Sequence, residues 1–459
     1  MEKKEQLKKN YILNGNVWKV ILSVSFPLIV YNLFLQLVSF FDSLMAREIG
    51  ATAVSAISIV GQVNNITFAI STSLSIGGTI FISRFIGSGK SKKASEYSNQ
   101  LFLISIIMSF LLLIIILPFS KNILKLLNTP DSILDISLEY YVTSMIYLPI
   151  LFFNNAYIAI IKATANNKKI LFLNLIVLTI KLILNYIFVY ILRLGIIMLA
   201  VSTLLSQLII TFIAIREIKY DKIGIKINIF STKLNAKILK NMARLSLPIF
   251  VEKGSFFAGK IMVNSIGTFY GELAAGALGI SNTLSGIVTI MFSAIQDAES
   301  TLISQNIGNN NWNRAKEVMK KSLVYQIGLA ILGILFYTFF MDKIIGLFAK
   351  GDLEFFELIK QIFRLEYLGF VTLAITDGVI GLFYGIGLTK ITFVINFLRL
   401  FLFRLPVLLY IINFTNLGPV ALGWAMLISN FCVGIVAVIV VLYYLKQIKM
   451  KKIDVYNQI

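Results

Sequence analysis

Apolar residues run along this chain in long stretches, broken by short polar and charged intervals rather than by a regular alternation. An α-helix rises about 1.5 Å per residue, so about 20 apolar residues in succession cross the hydrocarbon of a bilayer. By that measure the sequence predicts twelve membrane helices. Six lie near 17–46, 53–80, 97–118, 139–161, 170–192 and 195–216, and six near 246–269, 274–303, 322–341, 364–386, 391–413 and 417–445. The longest polar interval separates the two sets, which predicts an N-terminal lobe over 1–216, a cytoplasmic linker over 217–245 and a C-terminal lobe over 246–459.

The first stretch, WKVILSVSFPLIVYNLFLQLVSFFDSLMAR, carries two residues that a plain membrane anchor lacks. Pro27 removes a backbone donor and bends the helix. Asp42 puts a carboxylate in a segment where an acid is costly unless it faces protein or water, which makes it a functional candidate.

The two sets are copies of one another. A constant shift of 221 carries Ser25, Pro27, Gly50, Ala53, Ala56, Ser83, Gly87 and Glu96 onto Ser246, Pro248, Gly271, Ala274, Ala277, Ser304, Gly308 and Glu317. Further on, a shift of 222 carries Lys168 and Asn174 onto Lys390 and Asn396. Six crossings bring each copy back to the face it entered from. The copies are therefore expected to be related by an axis along the membrane normal, with a cavity between them.

Composition agrees. Of 459 residues 58% are hydrophobic and only 14% charged, about half the charged share of a soluble protein. The net charge of +20 is spread over short loops. With both termini inside, roughly 29 Lys and Arg fall on the inner side and about eight on the outer, a positive-inside bias. This reads as topology and contact with a lipid bilayer, and speaks against nucleic acid as a partner. The single cysteine, Cys432, excludes a disulfide framework, and the absence of histidine leaves proton chemistry to carboxylates and lysines. The charged start, MEKKEQLKKNYILNGN, lacks the pattern of a cleaved signal peptide. Abundant Lys, Ile and Asn point to a bacterial source.

FFDSLMAREIGATAVSA and SRFIGSGKSKKASE, their second-half counterparts SLPIFVEKGSFFAGK, GTFYGELAAGALGI and SQNIGNNNWNRAKE, and the later KATANNKK, GLFYGIGLTK and FRLP occur in a fixed order over roughly residues 15–445. In this the chain resembles the multidrug and toxic compound extrusion (MATE) transporter family. The resemblance implies an all-α membrane protein with two six-helix lobes in a V. It further implies a monomeric secondary exporter in the bacterial inner membrane, exchanging H⁺ or Na⁺ for amphipathic, often cationic, drugs or toxins, with no other cofactor.

The resemblance also marks residues. Asp42 matches the first-helix aspartate of branches whose cation site is in the N-terminal lobe; the bland alternative is a helix-end acid beside Arg47. Those branches often carry, on the fifth helix, an asparagine and an aspartate four residues on. Here Lys181 and Asn185 stand in those places, so the second acid is missing and a lysine has arrived, either paired with Asp42 or reaching the interface by its long stem. Glu252, four residues after Pro248, and Asp377, about one turn past the family's C-lobe aspartate, complete the expected cation-coupling set, with Na⁺ conceivable at Asp42 or at Glu252 and Asp377. Gln36, Lys181, Asn185, Asp297 and Glu299 are expected to contact substrate, the last two at the cavity mouth, and Pro27, Pro248 and Arg404 to act structurally.

No nucleophile–base pair, phosphate loop or metal cluster is visible, so catalysis is not expected. One rival reading is a lipid-linked oligosaccharide flippase of the same superfamily, with Lys181, Lys253, Lys260, Arg399 and Arg404 cradling a pyrophosphate. Another is a channel or a non-transporting membrane protein, which would not need matched halves.

Overall fold

The computed structural model describes residues 2–127, 129–229, 232–349 and 351–456. Among them there is no strand; the chain folds as helices. In order these are α1 (Glu2–Asn14), α2 (Val17–Ile49), α3 (Ala51–Gly87), α4 (Ser91–Ile116), α5 (Ser120–Leu126), α6 (Asp131–Ile146), α7 (Leu148–Ala163), α8 (Asn167–Tyr186) and α9 (Ile197–Lys219). The second half supplies α10 (Ala236–Thr268), α11 (Glu272–Gly308), α12 (Trp312–Ala349), α13 (Leu353–Leu368), α14 (Phe370–Ile386), α15 (Thr389–Phe397), α16 (Leu405–Phe414) and α17 (Ala421–Lys449).

Among the described residues nine helices are long and apolar enough to cross a bilayer. Two bent pairs, α6 with α7 (44°) and α13 with α14 (46°), raise the number to eleven if each pair is one span. α10 falls short of the apolar criterion because it carries Glu252, Lys253 and Lys260. It has the same 33-residue length as α2, and both have a proline inside. Counted with the rest, α10 brings the total to the twelve spans expected.

The duplication extends to backbone geometry. Gly50, before α3, and Gly271, before α11, both have positive φ (145° and 95°), a conformation that side chains disfavour. The turns after α3 and α11 repeat as well: Gly89 at φ 73° is matched by Asn310 at φ 55°, asparagine being the side chain that best tolerates this region.

The chain forms two compact units. Unit 1 comprises Met1–Leu13 and Val30–Phe250, and unit 2 comprises Asn14–Ile29 and Val251–Ile459. The two proline-containing helices thus change unit two residues past Pro27 and two past Pro248. In unit 1, Tyr141, Met145, Leu148 and Phe152 pack with Val60 and Leu124. The polar segment between α9 and α10 is stitched to α4 of the same unit. Asn99 accepts from the Asn228 amide at 2.8 Å, and Gln100 donates to the Lys233 carbonyl at 2.7 Å. Unit 2 is built on Phe292, Tyr337, Phe363 and Phe370. Tyr337 meets Phe363 edge to face at 4.7 Å and donates its hydroxyl to the Leu284 carbonyl at 2.7 Å. That bond satisfies a phenol which would otherwise be stranded in an apolar core.

Candidate functional site

Two clusters of buried polar side chains stand out, one in each unit. In unit 1 the carboxylate of Asp42, on α2, faces α8. Lys181 Nζ donates to Asp42 Oδ2 at 2.6 Å, and Asn185 Nδ2 donates to Oδ1 at 2.7 Å. Lys181 and Asn185 are four residues apart on a helix, so one face of α8 delivers both donors to one carboxylate. The pair is sheltered, with side-chain exposures of 16% for Lys181 and 24% for Asp42. Tyr140, on α6, lies within electrostatic reach of Asp42. The side chain of Arg47, the other candidate neighbour of Asp42, lies outside the described residues.

Asp42 and Lys181 open onto a cavity of about 440 Å³ inside unit 1, walled also by Tyr31, Asn64, Asn155 and Gln207. Its amides serve two ends. Asn154 donates to the Gln207 carbonyl at 3.0 Å and accepts from Thr211 Oγ1 at 2.8 Å, tying α7 to α9. Asn155 donates to Ser71 Oγ at 2.8 Å, tying α7 to α3. A wall with one acid, one base and many neutral donors and acceptors can hold a polar or amphipathic solute without presenting net charge.

In unit 2 the carboxylate is Glu252, on α10, which is 6% exposed. Tyr384 Oη donates to Oε1 at 2.9 Å, Asn396 Nδ2 to Oε1 at 2.7 Å and Thr392 Oγ1 to Oε2 at 2.6 Å. Thr392 and Asn396 share a face of α15, and Tyr384 comes from the last turn of α14. Asp377 is two turns earlier on that face of α14, within electrostatic reach of Glu252, Lys253 and Arg399. Arg399 places its guanidinium 5.8 Å from the centre of the Phe256 ring and donates to Asn430 Oδ1 at 3.2 Å. Here, then, an acid is held by three uncharged donors. Two of them are hydroxyls, and all three side chains carry an oxygen that can turn from the carboxylate to a small cation.

Among the described residues no group of three or more His, Cys, Asp or Glu side chains could hold a metal ion. A sodium ion at Glu252 would draw its remaining ligands from the neutral oxygens of Tyr384, Thr392 and Asn396.

The other expected site residues are spread out. Gln36 is half-buried on α2 and does not line the cavity of unit 1. Asp297, on α11, is half-buried and within electrostatic reach of Tyr384. Glu299, expected at a cavity mouth, has no exposed surface. Its Oε2 is 3.5 Å from Gln326 Nε2 and would stand 2.8 Å from a Cβ added to Gly381, and its Oε1 has no hydrogen-bond partner among the described residues. Pro27 and Pro248 lie inside α2 and α10. Arg404, 8% exposed, joins a π-helical stretch (Leu398–Arg404) to α17 by donating to Ser429 Oγ at 3.0 Å and Asn430 Oδ1 at 2.8 Å. Of the basic residues a pyrophosphate cradle would need, Lys181 pairs with Asp42 in unit 1, and Arg404 engages Ser429 and Asn430 in unit 2.

Tyr384 and Thr392 escaped the sequence reading because hydroxyls in apolar runs look like ordinary packing. Asn396 did leave a signal, as the repeat mate of Asn174.

A family profile for MatE matches residues 27–187 and 247–410, most of each half. The chain is 25% identical over 348 residues to the probable multidrug resistance protein YoeA of Bacillus subtilis (strain 168), covering 72% of this chain and 74% of that one. It is 22% identical over 438 residues to the probable multidrug resistance protein NorM of Listeria innocua, covering 92% and 94%. Its fold matches a solved outward-facing multidrug resistance MATE family transporter of the MOP superfamily with TM-score 0.90 at 18% identity, over 96% of this chain and 98% of that one. A MOP superfamily transporter from Pyrococcus furiosus matches with TM-score 0.89 at 18% identity, over the same shares. With the family profile spanning both halves of a duplicated helical membrane fold, the chain belongs to the MatE family, that of the multidrug and toxic compound extrusion transporters.

Proposed function

We propose that this protein is a cation-coupled antiporter that exports amphipathic, mostly cationic, compounds in exchange for H⁺ or Na⁺. Access to its sites would switch between the two faces of the membrane. The observation that carries the reading is Glu252, an acid enclosed in a membrane-spanning unit whose three hydrogen-bond donors are all uncharged. Such a carboxylate can hold either a proton or a small cation, and its neutral partners can rearrange at each exchange without stranding a second charge. Asp377 adds a second acid within electrostatic reach. The unit 1 cavity, with its amide and tyrosine wall, offers room for solute.

Coupling requires that ion and solute each favour a different access state, since a ligand shifts an equilibrium only by its differential affinity. The names of the relatives, multidrug resistance proteins from Bacillus and Listeria, support export of foreign compounds as the task. The basic inner loops support an inner-membrane protein with both termini in the cytoplasm. We read the functional unit as a monomer.

The test is efflux of a fluorescent organic cation from proteoliposomes holding the full chain, under a proton gradient and a sodium gradient imposed separately. One gradient is expected to drive accumulation against the concentration difference. Efflux that ignores both gradients would sink the reading.

A further inference from the structure

The two acids of the candidate sites have different partners. Among the described residues the hydrogen-bond donors to Glu252 are neutral, with Lys253 within electrostatic reach, whereas Asp42 already carries a full positive charge, the Lys181 ammonium at 2.6 Å. We propose that Lys181 is a tethered cation that permanently fills the carboxylate site of unit 1, so that the exchanged ion passes through the Glu252 site alone. The inference rests on the coupled-antiport reading and sharpens it: of two acidic positions, one is an ion site and the other a closed ion pair in the cavity wall.

The geometry gives each oxygen of Asp42 a donor, one of them the charged ammonium. Oδ2 is taken by Lys181 and Oδ1 by Asn185, both delivered by the same face of α8. The other ionisable side chains described on the cavity wall are Tyr31, Tyr140 and Tyr147. Among the described residues there is thus no second acid on that wall to receive the lysine if it left Asp42. A mobile cation could enter only by turning the ammonium loose inside a membrane-spanning segment. On insertion scales a lone lysine at such depth is disfavoured by on the order of a hundredfold in the equilibrium constant. The tether adds to this, because an attached ammonium competes at a high effective concentration against a free ion. The remaining wall of Asn64, Asn65, Asn155, Thr203 and Gln207 is neutral, so the paired cavity presents a polar but uncharged surface to its solute.

The test counts bound ions on the purified full chain in lipid nanodiscs, by equilibrium binding of radioactive sodium and by proton uptake from a weakly buffered solution. Wild type is expected to bind one equivalent of the coupling ion, lost in Glu252→Gln. Lys181→Met keeps an unbranched side chain one atom shorter, removes its charge and leaves Asp42 with Asn185 alone; it should gain a second equivalent, lost again in the double variant with Asp42→Asn. Lys181→Arg, which keeps the charge, should remain at one. A Lys181→Met protein that binds no more ion than wild type would overturn the proposal, as would a wild-type ion that survives Glu252→Gln. If Lys181→Met fails to fold, Lys181→Gln takes its place with the same two outcomes. Ion-driven efflux together with a wild-type ion that survives Glu252→Gln would defeat only this inference. Absence of any bound ion in wild type and Lys181→Met alike would defeat the coupled-antiport reading with it.

Discussion

Unit 1 and unit 2 are built on the same repeated scaffold, yet their polar chemistry occupies different positions on it. The shift of 221 that carries Pro27 onto Pro248 carries Tyr31 onto Glu252 and Asp42 onto Val263. The later shift of 222 carries Asn155 onto Asp377, Lys181 onto Phe403 and Asn174 onto Asn396. The acid of unit 2 therefore sits four residues beyond its proline, and that of unit 1 fifteen residues beyond. One is held by neutral donors and the other by a lysine. Duplication supplies a pair of frames whose helix lengths and turns must stay matched, because each crosses the same bilayer. It places no such demand on the side chains that line a pocket. A small cation or proton needs a carboxylate whose partners can let go; a wall for solute needs only that its polar groups be satisfied.

The contrast is broken most severely at Glu252. Glu252→Gln keeps the shape and the hydrogen-bonding reach of the side chain but removes the carboxylate that the proposed coupling requires. Ion-driven efflux in proteoliposomes should fall by tenfold or more, while the melting temperature in detergent changes little. An unchanged ion-driven rate would mean that unit 2 does not carry the coupling.

Arg404 tests a second asymmetry, since its repeat mate in unit 1 is Leu182. The guanidinium bridges the π-helical stretch to Ser429 and Asn430 on α17. Arg404→Met strips buried Ser429 of its donor, leaves Asn430 Oδ1 with Arg399 alone and should cost about 2–4 kcal/mol of stability. Arg404→Lys should recover only part of this, because a lysine lacks the planar fork that reaches both acceptors. Thermal unfolding of the three proteins in one detergent, followed by intrinsic fluorescence, gives the order.

How far the sequence foretold all this differs between scaffold and site, for physical reasons. Long apolar runs, the two prolines and the constant shift specify spans and duplication, since a bilayer admits few alternatives. α10 would be missed by its hydropathy alone, and it is the repeat with α2 that identifies it. The Asp42–Lys181 pair was legible because two opposite charges in membrane helices need partners, and each was the other's best candidate. The hydroxyl cradle of Glu252 was not, because Tyr384 and Thr392 serve packing equally well elsewhere. Nor could periodicity reveal that α2 and α10 change unit just past Pro27 and Pro248; that depends on which residues touch, and apolar runs are silent on it.

Gly381 and Glu299 form a smaller contrast. In unit 1 the same two scaffold positions hold Gly78 in place of the glutamate and Ala159 in place of the glycine, so both are small there. A methyl group at Gly381 would lie 2.8 Å from Glu299 Oε2 and 3.4 Å from the Gln296 carbonyl. Gly381→Ala should cost about 1–3 kcal/mol, the usual range for overpacking. The loss should shrink when Glu299 is shortened to alanine in the same chain. Additive effects in that double-mutant cycle would mean that the two side chains do not share the space.

The least effect is expected where the sequence suggested a substrate contact. Glu299 has no exposed surface, and among the described residues its Oε1 has no hydrogen-bond partner. A charge left so would be heavily penalised, whereas a neutral side chain of the same shape would not. Glu299→Gln keeps the volume against Gly381 and offers Gln326 an amide in place of the carboxyl. It should therefore shift stability by less than about 1 kcal/mol, toward the more stable side, and leave the apparent affinity for exported cations as it was. A several-fold loss of affinity at unchanged stability would mean that α11 opens during transport and brings Glu299 to the solute.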